Sequence, residues 1–207
     1  MARVKKPKET RKSYAIIGEG ISEFFYFDEF RTTEKELLRK YNITLKPDKP
    51  KHPDYKDIIA KAESLLAKDY DVVFCLIDMD YINADTAQKQ NYSLEKSRAI
   101  SRYEEGSLFF IESNPAFEFW FLLHFLYTDR QFRNCDAVIA ELKKTGRIED
   151  YEKTRDYFSK KNLYQALLSN LGVAIKNGDK SIVAHAKNKD SSYTEISSFF
   201  KMINKKN

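Results

Sequence analysis

The chain has 207 residues, and its 42% hydrophobic and 32% charged content is typical of a globular protein that buries one good core or two small ones. Its net charge of +5 does not indicate a chain that is basic throughout, because residues 1–12 hold six Lys or Arg and one Glu and the remaining residues balance. We predict that residues 1–12 form a basic flexible tail. Five of its side chains are expected to contact nucleic acid weakly: Lys5, Lys6, Lys8, Arg11 and Lys12.

The cysteines and the apolar stretches bear on the compartment. Cys75 and Cys135 are not clustered, which fits a reducing cytoplasm and predicts neither a zinc site nor a disulfide framework. The longest apolar stretch, at 117–127, contains Glu118 and His124 and is shorter than the roughly 20 residues of a membrane span. No secretory apolar segment follows the basic N-terminus. We therefore predict a cytoplasmic protein with no membrane partner.

Strands and helices alternate through the first 127 residues. Short apolar runs predict four strands, at 13–18, 43–46, 71–78 and 107–111. Apolar and aromatic positions predict helices at 23–40, 54–68 and 115–127, and the polar stretch at 84–103 is also predicted to be helical. The first of these helices has Ser22 as its N-cap, and the last has Asn114 as its cap and Pro115 at its first position. This alternation favours right-handed crossovers and an α/β fold with a doubly wound parallel sheet flanked by helices.

The strand pattern stops at residue 128. The remaining segments predict helices at 134–145, 149–160, 162–172 and 192–203, separated by glycines. We therefore predict three parts: the tail at 1–12, an α/β core at 13–127, and a helical C-terminal extension at 128–207 that packs on the core.

The turn after the first predicted strand raises a chemical question. Residues 16–24 read IIGEGISEF, and Gly18 and Gly20 fit the start of a dinucleotide-binding fingerprint, but Glu23 stands where its third glycine belongs. Glu19 lies between the glycines, where a pyrophosphate would approach, and a carboxylate repels phosphate. The turn therefore binds either nothing or a metal ion.

Three acids follow two of the predicted strands. Glu19 follows the first strand, and Asp78 and Asp80 close the third in the run IDMDYIN, so all three lie at the sheet edge where ligands of open parallel sheets bind. Residues two apart in an extended chain point the same way, about 6.6 Å apart, so Asp78 and Asp80 are expected to face one site. Converging carboxylates repel one another unless protonated or metal-bound, and Mg²⁺ or Mn²⁺ accepts such ligands. The simpler interpretation is that each aspartate caps a turn.

Four motifs resemble those of the RloB-like proteins, which are encoded beside bacterial restriction and other phage-defence systems and are grouped with Toprim-related folds. The motifs are EGISEFFYF (19–27), LIDMD (76–80), SNPAFEFWFLLHF (113–125) and DYEKTRDYF (150–158). The resemblance implies a Toprim-like sheet and a Toprim-type site, in which Glu19 acts with Asp78 and Asp80 around Mg²⁺. Such sites break or join nucleic-acid phosphodiesters.

The resemblance also implies roles for further residues. Lys153 falls on a motif position and is expected to act in catalysis, and Glu23, Asn114 and Glu118 are expected to support the site. The stretch AKNKDSSYTEI (186–196) lacks the Asn-Pro-x-Thr element expected there, so the role of the extension stays open.

Glu118 also has a physical interpretation. Its helix begins at the same sheet edge as the acids, and the helix N-terminus directs free N–H groups into that edge. Glu118 is the only acid in an otherwise aromatic helix, and a buried carboxylate there is expected to be bonded or metal-linked. The alternative is a glutamate at the helix rim in water.

Together with the converging acids, the resemblance implies a Mg²⁺-dependent nuclease of an anti-phage defence system, working with a neighbouring gene's product such as an ATPase, on DNA or RNA. One alternative is a non-catalytic module that uses the same acids to sense a nucleotide or to hold a partner. A haloacid-dehalogenase-like phosphatase is less favoured, because Ile82 replaces the usual Thr or Val and the D-x-D motif follows the third strand rather than the first.

Overall fold

A computed structural model describes residues 11–49 and 54–204 of the protein. Its strands are β1 (Lys12–Ile17), β2 (Ile43–Asp48), β3 (Val72–Asp78), β4 (Leu108–Asn114) and β5 (Tyr193–Thr194). Its helices are α1 (Ile21–Thr33), α2 (Lys35–Lys40), α3 (Tyr55–Leu66), α4 (Asp80–Asn83), α5 (Thr86–Ser101), α6 (Glu118–Leu122), α7 (Cys135–Leu142), α8 (Arg155–Lys160), α9 (Leu163–Leu167), α10 (Leu171–Lys187) and α11 (Ile196–Asn204), with a 3-10 turn at Leu168–Asn170.

The strands form one sheet in the order β2-β1-β3-β4-β5. The pairs β1–β2, β1–β3 and β3–β4 are parallel, which confirms the predicted α/β class and its mostly parallel sheet. The strand order reverses between β1 and β3, so their carboxyl ends flank the point where doubly wound sheets bind ligands. The more specific likeness to Toprim folds stays a prediction.

The edge strand β5 corrects the expectation that strands end before residue 128. It pairs antiparallel to β4, with Ser113 opposite Thr194 and Asn114 opposite Tyr193. Its two residues are too few to show an alternating pattern, so only the tertiary fold reveals it. The segment beyond residue 127 therefore contributes to the sheet itself as well as packing on it.

Both faces of the sheet are covered by apolar side chains. On one face Ala15, Val73 and Ile77 lie in a buried cluster with residues of α3 and α5. On the other face the cluster is mainly aromatic, and the α11 residue Phe199 lies 5.1 Å from Phe74 of β3 between ring centroids. The last helix is thus part of the main core.

Several predicted helix boundaries were wrong. The predicted helix at 23–40 is two helices, and it begins after Gly20 rather than after Ser22, which lies buried inside α1. The glycines near 172 and 178 do not end a helix, because both lie within α10. A Cβ at Gly178 would come within 3.0 Å of the Ser197 Cβ, so this glycine lets α10 and α11 pack closely.

The prediction for Asn114 and Pro115 was also wrong. Asn114 is the last residue of β4, and α6 begins only at Glu118. The pairing of Asn114 with β5 keeps it in the sheet, and the Asn114–Pro115 peptide bond is cis. The predicted helix at 149–160 begins at Arg155, so Lys153 lies in the irregular segment between α7 and α8.

Lys12, predicted to end the basic tail, lies in the sheet instead. Lys12 is the first residue of β1, and its backbone N–H donates to the Asn42 carbonyl oxygen at 2.9 Å, whereas Arg11 is exposed and precedes the strand. Lys5, Lys6 and Lys8 lie outside the described residues. Among the helices that the structure describes, none is both long enough and apolar enough to cross a membrane.

Candidate functional site

The two strands at the switch point bring Glu19 and Asp78 together. Glu19 lies in the turn after β1, and its Oε1 accepts the backbone N–H of Asp78, at the end of β3, at 3.2 Å. This bond joins residues that are far apart in sequence across the adjacent carboxyl ends of the strands. The structure therefore places these two acids together at one edge of the sheet, as the sequence predicted.

Glu23 fills the space above the glycine turn. Its Oε1 accepts the Gly20 N–H at 3.1 Å, and a Cβ on Gly18 would lie only 2.4 Å from the Glu23 Cβ. The glycines therefore make room for a glutamate side chain of the protein itself, in the place where a pyrophosphate would lie. Glu23 is 2% exposed, and its Oε2 is buried with no hydrogen-bond partner among the described residues.

Asp78 and Asp80 are not arranged as two positions of one extended strand. Asp78 ends β3, and its Oδ1 accepts the Phe117 N–H at 2.8 Å. Asp80 begins α4, and its Oδ1 accepts the N–H of Tyr81 at 2.7 Å. The chain turns at Met79, whose N–H donates to the Ser113 and Pro115 carbonyl oxygens, so the expectation that an extended backbone aligns the two aspartates was wrong.

Glu118 is the centre of a buried polar network. It is 0% exposed, and its Oε1 accepts the hydroxyls of Ser22 at 2.7 Å and Tyr151 at 2.9 Å. The thiol of Cys135 donates to its Oε2 at 3.2 Å, and Lys153 Nζ lies 3.0 Å from its Oε1. Glu118 is therefore buried and hydrogen-bonded, as one of its two interpretations predicted. It is not a glutamate at the helix rim in contact with water.

Lys153 is the cation of this cluster. Its side chain is 34% exposed, and its Nζ also donates to the Cys135 sulfur at 3.6 Å. Burial by itself lowers the pKa of Lys153, but the carboxylates of Glu118 and Glu23 outweigh burial and raise that pKa above its ordinary value. The lysine is therefore charged throughout the physiological range of pH.

One lysine does not offset all the neighbouring acids. Burial, followed by repulsion from Glu23, raises the pKa of Glu19 to about 8. Burial together with the charges of Glu23, Glu118 and Glu19 raises the pKa of Asp78, and burial and Glu118 raise the pKa of Glu23. Burial also acts on the pKa of Glu118, but Lys153 and the hydrogen bonds hold that pKa below its usual value. The cluster thus holds excess negative charge when it is fully ionised.

The donors of this cluster match a hard divalent cation in chemistry but are not converged as a ligand set. Carboxylate oxygens are the ligands that Mg²⁺ takes, and the unbonded Glu23 Oε2 is a buried oxygen of this kind. Within residues 11–49 and 54–204, however, no group of three or more His, Cys, Asp or Glu side chains is placed to hold a metal ion. A metal bound by Glu19, Asp78 and Asp80 requires their carboxylates to move together.

Comparison with protein families adds to the geometry. Residues 14–203 match the family described as RloB-like protein, and this range includes every residue of the cluster. The chain belongs to the RloB-like protein family. Searches of the curated proteins and of the solved structures found no match.

The structure of this RloB-like protein adds three residues that the sequence analysis missed. Ser22, Cys135 and Tyr151 each donate to Glu118. Ser22 and Tyr151 lie inside two of the quoted motifs, directly beside Glu23 and two positions before Lys153, so their place in the motifs was a usable signal. Cys135 gave no such signal, because its contact depends on how α7 packs against α6.

Asn114 lies at the border of the cluster. Its side-chain oxygen accepts from the Asn83 amide at 3.4 Å, across to α4, which begins with Asp80. This contact holds the end of β4 against the turn after β3. Among the predicted supporting residues of this RloB-like protein, Glu23 and Glu118 therefore join the charged cluster, whereas the Asn114 side chain contacts Asn83 of α4.

Proposed function

We propose that this RloB-like protein is a divalent-metal-dependent phosphodiesterase that acts on nucleic acid in an anti-phage response. The observation that carries the proposal is the excess of buried and partly buried carboxylates around one lysine at the β1/β3 switch point. A phosphodiester is itself an anion, so it approaches such a site only when added cations offset the acids. Mg²⁺ or Mn²⁺, held by Glu19, Asp78 and Asp80, is the cation that this donor chemistry favours.

Several residues of the cluster have a role in this proposal. Asp78 and Asp80 would hold the metal, which would supply Lewis-acid polarisation of the scissile phosphate when bound. Lys153 offsets charge on a non-bridging phosphate oxygen, and Glu118 fixes the position of the lysine through their 3.0 Å contact. As an alternative to its role as a metal ligand, Glu19 transfers a proton to or from the reacting oxygen, for which its pKa of about 8 in the metal-free protein is suitable near neutral pH.

A second candidate is a non-catalytic module that senses a nucleotide or holds a partner in a defence complex. It is favoured by two observations: Lys153 is already paired with Glu118, and the described acids are not converged as metal ligands. Both candidates include a partner encoded by a neighbouring gene, such as an ATPase, and both place the protein in the cytoplasm. They differ in whether phosphodiester bonds are cut.

A cellular experiment separates the two candidates. Wild type, Glu19→Gln and the exposed control Glu36→Gln are induced with and without the neighbouring genes, challenged with phage, and the ends of cellular DNA and RNA are sequenced. The nuclease proposal expects new ends and phage protection for wild type and Glu36→Gln, with both lost in Glu19→Gln. If Glu19→Gln still protects against phage and no strain shows new ends, the nuclease proposal is contradicted. The non-catalytic sensing module then becomes the better account.

A further inference from the structure

An open groove of about 500 Å³ lies away from the acid cluster, beside the C-terminal half of α10. Its walls come from the chain that follows α6, from α10 and from the turn before β5. Its lining includes Tyr127, Asp129, Asp179, Lys180, Val183 and Lys187. The volume is in the range that holds a small ligand or one unit of a polymer.

The exposed side of α10 is basic. Lys176, Lys180 and Lys187 are exposed and follow helical spacing, so they form one stripe along the helix together with Val173 and Val183. The two valines are 47% and 55% exposed. The stripe thus combines positive charge with apolar surface that is in contact with water.

The acids in the groove offset little of this charge. The carboxylate of Asp179 lies 2.6 Å from Lys201 Nζ and accepts the Ser197 hydroxyl at 2.9 Å, so its charge is balanced within the protein. Asp129 is the other acid of the lining. The lysines of the stripe therefore outnumber the acids that remain to pair with them, which favours an anionic ligand.

Tyr127 supplies an aromatic face at the groove. Its side chain is 40% exposed, and Lys180 Nζ lies 5.5 Å from the centre of its ring. An exposed aromatic ring flanked by lysines is the combination by which proteins bind single-stranded nucleic acid, since bases stack on the ring and phosphates contact the ammonium groups. Double-stranded nucleic acid offers no unstacked base to such a ring.

The groove is linked to the acid cluster through α6. Glu118 begins this helix, and Tyr127 lies nine residues further along the same segment, a length of chain that reaches at most about 30 Å. The Asn177 amide of α10 donates to the Leu123 carbonyl oxygen at 2.9 Å, which anchors the groove wall to the end of α6. The groove and the first residue of α6 therefore lie no more than about 30 Å apart.

We propose that the groove between Tyr127 and α10 is a binding site for single-stranded nucleic acid, in which a base stacks on Tyr127 and adjacent phosphates contact Lys180 and Lys187. The inference deepens the proposed function by naming the strand state of the substrate and the surface that holds it. It rests on that function for its biological meaning, but the binding itself needs no cleavage.

The test is fluorescence anisotropy with labelled single-stranded oligonucleotides longer than the roughly 4–16 nucleotides of common single-strand sites, in EDTA, so that no cleavage occurs. Lys180→Gln/Lys187→Gln should weaken binding about tenfold and reduce the slope of log K against log salt by about 1.4, as expected for two lost phosphate contacts. Tyr127→Leu should weaken binding between roughly fivefold and a hundredfold with an unchanged slope, and Tyr127→Phe should bind like wild type.

Lys68→Gln/Lys89→Gln is the matched control, because both lysines are exposed and lie outside the groove. Equal weakening by this control and by the groove variant would overturn the proposal, since it would show only a non-specific effect of charge. Wild-type affinity in the groove variants, with binding lost on deletion of residues 1–10, would also overturn it and place the contact in the basic tail. Equal affinity for single and double strands would contradict the stacking on Tyr127.

The outcome is separable from that of the proposed function. Binding that depends on the groove, with no cut ends in cells that express the protein together with its neighbouring genes, supports the groove and contradicts the nuclease. If wild type cleaves nucleic acid and the groove variants bind and cut equally well, the proposed groove site is contradicted. The nuclease proposal is unaffected by that result.

Discussion

The ammonium group of Lys153 lies 3.0 Å from the Oε1 of Glu118, and the two residues differ strongly in exposure. Glu118 is completely buried, whereas Lys153 is 34% exposed and reaches the acid cluster from an irregular segment. The pair ties that segment to the first residue of α6. It also sets one fixed positive charge beside Glu23 and Asp78.

Removing one member of this pair should cost more than removing both. Lys153→Met leaves the buried Glu118 carboxylate without its cation and should lower the free energy of unfolding by ~2 kcal/mol or more. The loss should be smaller than that for a wholly buried ion pair, because the lysine is partly exposed. The double variant Glu118→Gln/Lys153→Met should recover part of that loss. Urea unfolding measures both. In the control, Lys160→Met breaks an exposed pair with Asp156 and should change stability by at most about 1 kcal/mol.

The hydroxyl donors to Glu118 give a second prediction. Ser22→Ala and Tyr151→Phe each remove one hydrogen bond to a buried carboxylate and should each cost about 1–3 kcal/mol of unfolding free energy. Because both donors contact the same oxygen, the two losses should not add in the double variant. Tyr81→Phe, at a side chain that is 72% exposed, is the control. Strict additivity would contradict this, because it would show that the two hydroxyls contribute to stability independently of each other.

The glycine turn gives a third prediction. Gly18→Ala places a Cβ 2.4 Å from that of Glu23 and should destabilise the protein by about 1–3 kcal/mol. Gly20→Ala brings its Cβ to 2.9 Å from Oε2, at the flexible end of the Glu23 side chain, so its loss of stability should be smaller than that of Gly18→Ala. Adding Glu23→Ala should remove the clash at Gly20. Gly172→Ala, with nothing within 4 Å of the added Cβ in α10, should stabilise by about 0.5–1 kcal/mol. A Gly18→Ala protein as stable as wild type in thermal unfolding would disprove this packing.

Much of this site was predictable from the sequence, because parallel strands bring their carboxyl ends to one edge. That rule was enough to place Glu19 and Asp78 together, and the apolar run at Val72–Asp78 identified the central strand. The burial of Glu118 was also expected, since it is the only acid in an aromatic segment.

The remaining features depend on contacts between distant residues. The turn at Met79 is set by carbonyl oxygens of Ser113 and Pro115, so no local pattern shows that Asp80 leaves the strand. The edge strand β5 exists only because β4 is there to pair with it. Gly178 was predicted to interrupt the helices. It instead lies inside α10, where the absence of a side chain lets it pack closely against Ser197.

The pKa of Glu19 predicts how stability depends on pH. An acid whose pKa is raised from 4.5 unfolded to about 8 folded binds more protons in the folded state, so its contribution is complete below pH 4.5 and is lost as pH rises through 8. The free energy of unfolding in the absence of divalent metal should therefore fall more between pH 5.5 and 8.5 for wild type than for Glu19→Gln. Parallel curves for the two proteins, from urea unfolding in EDTA, would show that Glu19 titrates normally.

The most direct measurement is isothermal titration calorimetry with Mn²⁺ and Mg²⁺ at about pH 7 in buffers of different ionisation enthalpy. Wild type should bind the metal and release protons, because Glu19 and Asp78, whose pKa values are raised, must ionise to become ligands. Asp78→Asn/Asp80→Asn should lose both the binding heat and the proton release, whereas the exposed control Asp136→Asn/Asp156→Asn should retain them. Binding heat and proton release that are the same in wild type and in Asp78→Asn/Asp80→Asn would contradict a metal site at this edge of the sheet.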